Sequence, residues 1–105
     1  MTAKTLYLNG ILDKETCEDF YKQFKEIANS EEAILIQISL HQVTAVKSEG
    51  MIFLTSILKK VKQTQGKMCF IEAKPKVHDQ ILLSGLLYNV PFFSSPAYAQ
   101  RFLST

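Results

Sequence analysis

Residues 34–54 read ILIQISLHQVTAVKSEGMIFL, and their character changes once, at the polar turn formed by residues 47–50. The stretch before this turn, residues 33–40, is nearly continuously apolar and rich in isoleucine. Such runs are typical of strands that are covered on both faces, as in parallel sheets. After the turn, apolar residues recur at helical spacing until Gly66, a natural helix stop. The stretch therefore predicts a central buried strand followed by a long helix.

The residues before this stretch predict a strand and an amphipathic helix. Residues 5–9 alternate between apolar and polar side chains as a half-buried strand does, and Gly10 follows where a turn is expected. From Asp13 onwards, apolar residues recur every three or four positions, while charged residues occupy the other face. Asp13 is the predicted N-cap of this helix, and residues 29–30 are its predicted end.

The residues after this stretch predict two more strands and two more helices. Residues 67–73 predict a buried strand, and Pro75 opens a short helix that ends at Gly85. That helix is expected to turn Val77, Ile81 and Leu82 inward. Residues 90–93 predict a short edge strand, after which Ser95 caps a last helix. Its apolar face is expected to hold Tyr98, Phe102 and Leu103.

The alternation of strands with helices implies a largely parallel sheet joined by right-handed crossovers. At 105 residues, the chain is long enough to build one hydrophobic core and too short to build two. We therefore predict a single α/β domain over residues 1–105, with a mostly parallel sheet of four or five strands and about four helices.

Composition and charge restrict the classes of function. The chain is 47% hydrophobic and 21% charged, as ordinary soluble globular proteins are. Its formal net charge of +2 provides no field strong enough to steer nucleic acid or an anionic membrane. No apolar run approaches the roughly 18 residues that cross a bilayer. Two cysteines without a secretory signal indicate a reducing compartment, so we expect the protein in the cytoplasm.

Side chains that carry catalysis or bind metals are sparse and scattered along the sequence. His41 and His78 are predicted to lie on the surface, and no Cys/His spacing indicates a metal site. Cys17 and Cys69 fall on predicted core positions, where burial raises the pKa of a thiol. The acidic residues sit mostly on helix faces, and the glycine-rich phosphate loops are absent. We therefore expect no enzyme, no catalytic residue, no metal and no cofactor.

The polar turn admits two interpretations of Ser48. In the first, Ser48 is the N-cap of the following helix, and Glu49 adds a favourable charge beside the helix dipole. In the second, Ser48 displays a hydroxyl to another protein, because partners meet open α/β folds at the carboxyl ends of the strands. Ile52 favours the second, since helical spacing places this apolar residue on the polar face, one turn beyond Ser48. The predicted partner surface comprises Lys47, Ser48, Glu49, Gly50, Ile52, Thr55 and Lys59.

Four stretches of the chain, taken together, resemble the STAS domain of bacterial anti-sigma factor antagonists over residues 6–103. In order they are LNGILD, then ILIQISLHQVTAV with KSEGM, then GKMCFIEAKPKVHDQILLSGL, and VPFFSSPAYA. They resemble the family in a strand that leads into a D-S-S-G-like turn and in a helix end of the form L-x-x-S/T-G-L. Ser48 matches the phosphoacceptor of the turn and Gly50 its glycine. Lys47 stands where the family has aspartate, and Glu49 where it often has serine or threonine.

The resemblance implies a regulatory protein–protein interaction module. In that family, an anti-sigma factor that is also a serine kinase phosphorylates the serine that matches Ser48. A metal-dependent serine phosphatase removes the phosphate, and only the unmodified form captures the anti-sigma factor. For this chain, the resemblance therefore implies phosphorylation at Ser48 and these two proteins as partners.

Three other interpretations stay open on the sequence. The altered residues Lys47 and Glu49 favour a STAS scaffold subunit of a sensor or transport complex that works without phosphorylation. A receptor for a small molecule or nucleotide is a further class, and its ligand would stabilise it against unfolding. The apolar residues Ile52, Phe92 and Phe93 leave a homodimer open.

Overall fold

Strands and helices alternate along residues 3–28 and 32–104, the parts of the chain that the computed structural model describes. The elements are β1 (Lys4–Leu12), α1 (Lys14–Ile27), β2 (Leu35–Val46), α2 (Ser48–Gln63), β3 (Lys67–Ile71), α3 (Pro75–Ser84), β4 (Phe92–Phe93) and α4 (Pro96–Leu103). Within these residues, the strands form one sheet in the order β1-β2-β3-β4, and every neighbouring pair is parallel. The predicted fold class is confirmed.

Strand β2 lies between β1 and β3 and is longer than the predicted strand. Residues 35–39 pair with β3, whereas the pairing with β1 continues until Leu12 lies opposite Val46. The prediction of a turn at Gly10 is wrong. Gly10 lies inside β1 with a φ of +70°, next to a shift in the register between β1 and β2. A β-bulge of this kind tolerates glycine at positive φ without ending the strand.

Helices cover both faces of the sheet, which explains why β2 is apolar on both sides. The larger core cluster joins one face of the sheet to the buried sides of α1, α2 and α3. A smaller cluster packs Ala99 and Leu103 of α4 against Cys69 and Ile71 of β3 on the other face. As a result, residues 36–40 of β2 are all buried. None of the described helices is long and apolar enough to cross a membrane.

The predicted helix boundaries hold where a local signal fixes them. Asp13 is the N-cap of α1, and Gly85 ends α3 in the left-handed conformation with a φ of 70°. The predicted end of the first helix, at residues 29–30, lies outside the described residues. Strand β3 ends at Ile71, two residues before its predicted end.

Two predictions about buried faces are wrong. Leu82 is 44% exposed, because the inward stripe of α3 is formed by Val77 and Ile81, and Leu82 lies about 100° further around the helix. Tyr98 is 56% exposed for the same reason, since α4 buries Ala99 and Leu103, which are four residues apart.

Both cysteines are free thiols in the core, as the sequence predicts. Burial raises the pKa of the Cys17 thiol to about 11 and that of the Cys69 thiol to about 12. The charges of Asp13 and Glu49 contribute smaller parts of the increase in the pKa of Cys17. A thiol that stays protonated at neutral pH is a poor nucleophile, so both cysteines act as small packing residues.

We predict that iodoacetamide at about pH 8 labels both thiols in denaturant and neither in buffer over the same time.

Because folding raises both pKa values, the folded chain keeps protons that the unfolded chain loses above about pH 8.5. The free energy of unfolding should therefore fall as the pH rises from about 9 towards 11. Mass spectrometry and urea unfolding measure the two effects. Rapid labelling in buffer, or a stability that rises over this pH range, would contradict the burial of the thiols.

Candidate functional site

The polar turn of residues 47–50 joins the carboxyl end of β2 to the start of α2, and neighbouring elements hold it from two sides. The backbone N–H of Lys47 donates to the carbonyl oxygen of Leu12, the last residue of β1, at 2.9 Å. The N–H of Val46 donates to Oε1 of Gln80, on α3, at 3.0 Å. Since buried backbone groups need partners, these two bonds fix where the chain leaves the sheet.

Gly50 allows α2 to start against the end of β1. It is buried, and a Cβ atom at this position would lie 2.5 Å from the carbonyl oxygen of Leu12 and 2.8 Å from the Leu12 Cβ. No side chain fits at these distances without moving the backbone of β1 or the first turn of α2. Gly50 is therefore the buried residue of the turn and packs against β1, while Lys47, Ser48 and Glu49 are exposed to solvent.

We predict that Gly50→Ala lowers the free energy of unfolding by about 1 to 3 kcal/mol, because the added methyl group forces the packed elements apart. Chemical denaturation measures this loss. The matched control is Glu49→Ala, the exposed neighbour, which should change stability by no more than about 0.5 kcal/mol. Equal effects of the two substitutions would show that α2 does not approach Leu12 this closely.

Ser48 is not the N-cap of α2, which corrects one of the two interpretations of the sequence. Lys47 occupies the cap position with extended backbone, and Ser48 is the first helical residue. The Lys47 side chain makes no capping hydrogen bond within the described part of the chain. Because the first amides of a helix point out of it without helical partners, the start of α2 carries partial positive charge beside the exposed Ser48.

Helix α1 begins in the opposite way, although it starts at the same edge of the sheet. The Thr16 N–H donates to Oδ1 of Asp13 at 3.0 Å, and the Asp13 N–H donates to Oγ1 of Thr16 at 3.1 Å. This reciprocal pair is a capping box. The hydrogen bond from the Thr16 backbone lowers the pKa of the Asp13 carboxyl group. The N-terminus of α1 is therefore closed by a side-chain cap. The N-terminus of α2 is open, in the sense that no side chain among the described residues caps its first amides.

We predict that Asp13→Ala costs about 1 kcal/mol of stability, because it removes the cap of α1. Ser48→Ala should cost less than about 0.5 kcal/mol, because the Ser48 hydroxyl does not serve as a cap. Urea unfolding of the two variants beside the original chain measures the difference. A loss at Ser48 as large as that at Asp13 would place the hydroxyl in the helix cap after all.

The remaining residues of the predicted surface lie further along α2. Ile52 is 66% exposed, one turn beyond Ser48, as the helical spacing predicts. Thr55 is half-buried, and its hydroxyl donates to the carbonyl oxygen of Met51 at 2.8 Å. Lys59 is exposed, but it lies about 16 Å from Ser48 along the helix axis. The structure therefore brings Ile52 close to the turn and leaves Lys59 remote from it.

The two phenylalanine rings of the edge strand β4 pack against other aromatic rings of the same chain. The ring centroid of Phe92 lies 5.1 Å from that of Phe70 and 4.4 Å from that of His78. The ring centroid of Phe93 lies 5.7 Å from that of Phe102. Both residues are half-buried. Unlike Ile52, they offer little apolar area to a second molecule.

Exposed apolar side chains around the end of α3 were not predicted from the sequence. Four large side chains within seven residues are 44% to 87% exposed: Leu82, Leu83, Leu86 and Tyr88. Leu83 lies one turn beyond Gln80, the residue that holds the end of β2. The signal was present in the run LLSGLLY, since one helix end cannot bury so many apolar residues in succession. Exposed apolar side chains that are close together are common where proteins contact one another.

Metal binding finds no support in the described residues, 3–28 and 32–104. They contain no group of three or more His, Cys, Asp or Glu side chains that could hold a metal ion. What the site offers is a displayed hydroxyl, an open helix N-terminus and exposed apolar side chains. These features suit recognition by another protein.

Comparison with known proteins identifies the family. The model of the STAS domain family matches residues 2–99, so this chain belongs to the STAS domain family. Among curated proteins, no sequence matches the chain significantly.

Solved structures share the fold at low sequence identity. One is the crystal structure of a proposed anti-sigma factor antagonist, TM1081, from Thermotoga maritima. It is 19% identical, has a TM-score of 0.81, and the match covers 96% of this chain and 88% of that one. Another is an NMR structure of the protein TM1081, which is 22% identical with a TM-score of 0.78, over 95% of this chain and 80% of that one.

Proposed function

We propose that this protein is a regulatory binding module of the antagonist type, which captures an anti-sigma factor with serine kinase activity in the cytoplasm. Phosphorylation of Ser48 by that kinase would abolish the capture. One observation carries the proposal: Ser48 is exposed at the open N-terminus of α2, beside the exposed side chain of Ile52. Membership of the STAS family and the likeness in fold to a proposed anti-sigma factor antagonist support it.

The binding energy comes from apolar side chains around the turn. Full burial of an isoleucine side chain stabilises a complex by about 1.5 to 3 kcal/mol, and Ile52 has 66% of its surface to offer. Leu83, which is 87% exposed and lies one turn beyond Gln80 on α3, is a second apolar side chain that the partner would cover. The charged residues Lys47 and Glu49 then set orientation and specificity more than affinity.

The modification is a transfer of the γ-phosphoryl group of ATP. The Ser48 hydroxyl oxygen forms a bond to the γ-phosphorus, the bond to the ADP oxygen breaks, and a base of the kinase takes the hydroxyl proton. The product carries about 1.5 to 2 negative charges at neutral pH. A metal-dependent phosphatase would return the hydroxyl by hydrolysis, with water as the second substrate.

The phosphate acts at the interface and leaves the fold intact. The free backbone N–H groups at the start of α2 can donate hydrogen bonds to the phosphate, so the modified chain stays folded. A partner that had covered a neutral hydroxyl and Ile52 would now have to desolvate a dianion. Lys47 and Glu49 flank Ser48 with opposite charges and are both exposed, so they largely offset one another.

A second function, a scaffold subunit of a sensor or transport complex that is never phosphorylated, is favoured by one observation. Glu49 is exposed directly after Ser48 and already places a negative charge beside the hydroxyl. A kinase whose site fits an uncharged residue after the serine would have to accommodate this charged side chain. Affinity capture with partner identification, followed by mass spectrometry of Ser48, distinguishes the two functions.

We predict that Ser48→Asp weakens binding to the purified cognate anti-sigma kinase by at least about tenfold, whereas Ser48→Ala retains it. Ile52→Asp should weaken binding by a similar factor without loss of stability, because Ile52 is exposed. Lys76→Ala, on the exposed side of α3, is the control. Calorimetry measures the affinities, and mass spectrometry after incubation with kinase and ATP locates the phosphate. Binding of Ser48→Asp at full strength, or no phosphate on Ser48, would eliminate the switch.

A further inference from the structure

An open groove runs along the boundary between α1 and α2. It consists of two neighbouring depressions, of about 520 Å³ and 380 Å³, which meet at Tyr21 and Lys25, the residues that line both. On α2 the groove extends from Glu49 to Gln63, a distance of about 21 Å along the helix. We call it the α1–α2 groove.

The floor of the α1–α2 groove is apolar. Cys17 and Phe53 are buried beneath it, and the half-buried Tyr21 forms its middle. Ile52 forms part of one wall with most of its side chain in solvent. Apolar surface that lies open in this way is stabilised when another molecule covers it.

The rim of the α1–α2 groove is basic. Four lysines line it from both helices, namely Lys14, Lys22, Lys25 and Lys60, and two glutamates, Glu18 on α1 and Glu49 on α2, lie among them. This excess of two positive charges equals that of the whole chain, which has twelve basic and ten acidic side chains. The Lys25 Nζ lies 5.1 Å from the centroid of the Tyr21 ring, so one of these charges is held directly over the floor.

We propose that the α1–α2 groove binds an amphipathic helix of a partner protein, with an apolar ridge flanked by acidic residues. Its lining residues on α2 span the length of about 14 helical residues. The ridge would cover Tyr21 and Ile52 as an i, i+3, i+4, i+7 pattern does in a hydrophobic groove. The acidic flanks would meet Lys22, Lys25 and Lys60. The site shares Glu49 and Ile52 with the proposed kinase surface, but it goes beyond the proposed function because it needs no modification of Ser48.

The test is an NMR titration of the full-length, isotope-labelled chain with a designed helical peptide that has a leucine ridge and glutamate flanks. A matched peptide carries lysine in place of every glutamate. We expect the acidic peptide to shift the amide signals of Cys17, Tyr21, Lys25 and Ser56. It should bind at least about tenfold more tightly than the basic peptide, and added salt should reduce this difference.

Reversing the charge of lysines in the α1–α2 groove then tests whether the peptide binds there. Lys22→Glu with Lys25→Glu should weaken the acidic peptide about tenfold and strengthen the basic one. The control pair is Lys62→Glu with Lys76→Glu, which changes the net charge equally. Lys62 lines a different depression, with Asn89 and Pro91, and Lys76 is exposed on α3. We expect this pair to leave both affinities unchanged.

Several results would overturn the site: no binding of the acidic peptide, equal binding of both peptides, equal effects of the two variant pairs, or shifts centred on Leu83 instead of the groove. Failure here is distinguishable from failure of the proposed function. The peptide titration uses unmodified protein and does not involve the kinase, whereas the kinase experiment reads the phosphate on Ser48.

Discussion

The arrangement of the turn and of the two helix starts beside it depends on contacts with the carbonyl group of Leu12. It accepts the N–H of Lys47, and the backbone of Gly50 passes so close to it that no Cβ atom fits between them. One point at the end of β1 therefore sets where β2 stops and α2 begins. Because Asp13, the cap of α1, directly follows Leu12, the same point also sets the start of α1. The exposed Ser48 and the starts of both helices therefore lie within a few residues of this contact.

The two helix starts at this edge differ in a way that suits a binding surface. At α1 the capping box uses two orphan amides internally, which typically stabilises a helix by about 1 kcal/mol. At α2 the first amides stay available, and the side chains above them are exposed. Proteins commonly leave such local stability unused where another molecule has to be recognised. An open helix N-terminus also tolerates added negative charge, as a phosphate on Ser48 would require.

The sequence predicted those parts of the fold that local chemistry determines. Strand β2 could be identified because burial on both faces demands an uninterrupted apolar run, and Gly85 could be identified because a left-handed helix end favours glycine. The display of Ile52 followed from helical periodicity alone. For these residues, neighbours within a few positions carry all the information that is needed.

The features that the sequence did not predict depend on contacts between distant parts of the chain. Whether Ser48 or Lys47 is the cap residue is decided by the bond between Lys47 and Leu12, which are 35 residues apart. Leu82 could not be separated from Ile81 until the position of α3 against β2 was known. The α1–α2 groove likewise exists only once both helices have packed on the same face of the sheet.

Amide hydrogen exchange is the most direct test of this turn. It measures whether hydrogen bonds fix the backbone at the end of β2 while the first amides of α2 stay free. We expect slow exchange at Val46 and Lys47, whose N–H groups are bonded to Gln80 and Leu12, and exchange close to the unprotected rate at Ser48 and Glu49. Slow exchange at Thr16, inside the capping box of α1, serves as the internal reference. Protection of Ser48, or rapid exchange at Lys47, would contradict the arrangement.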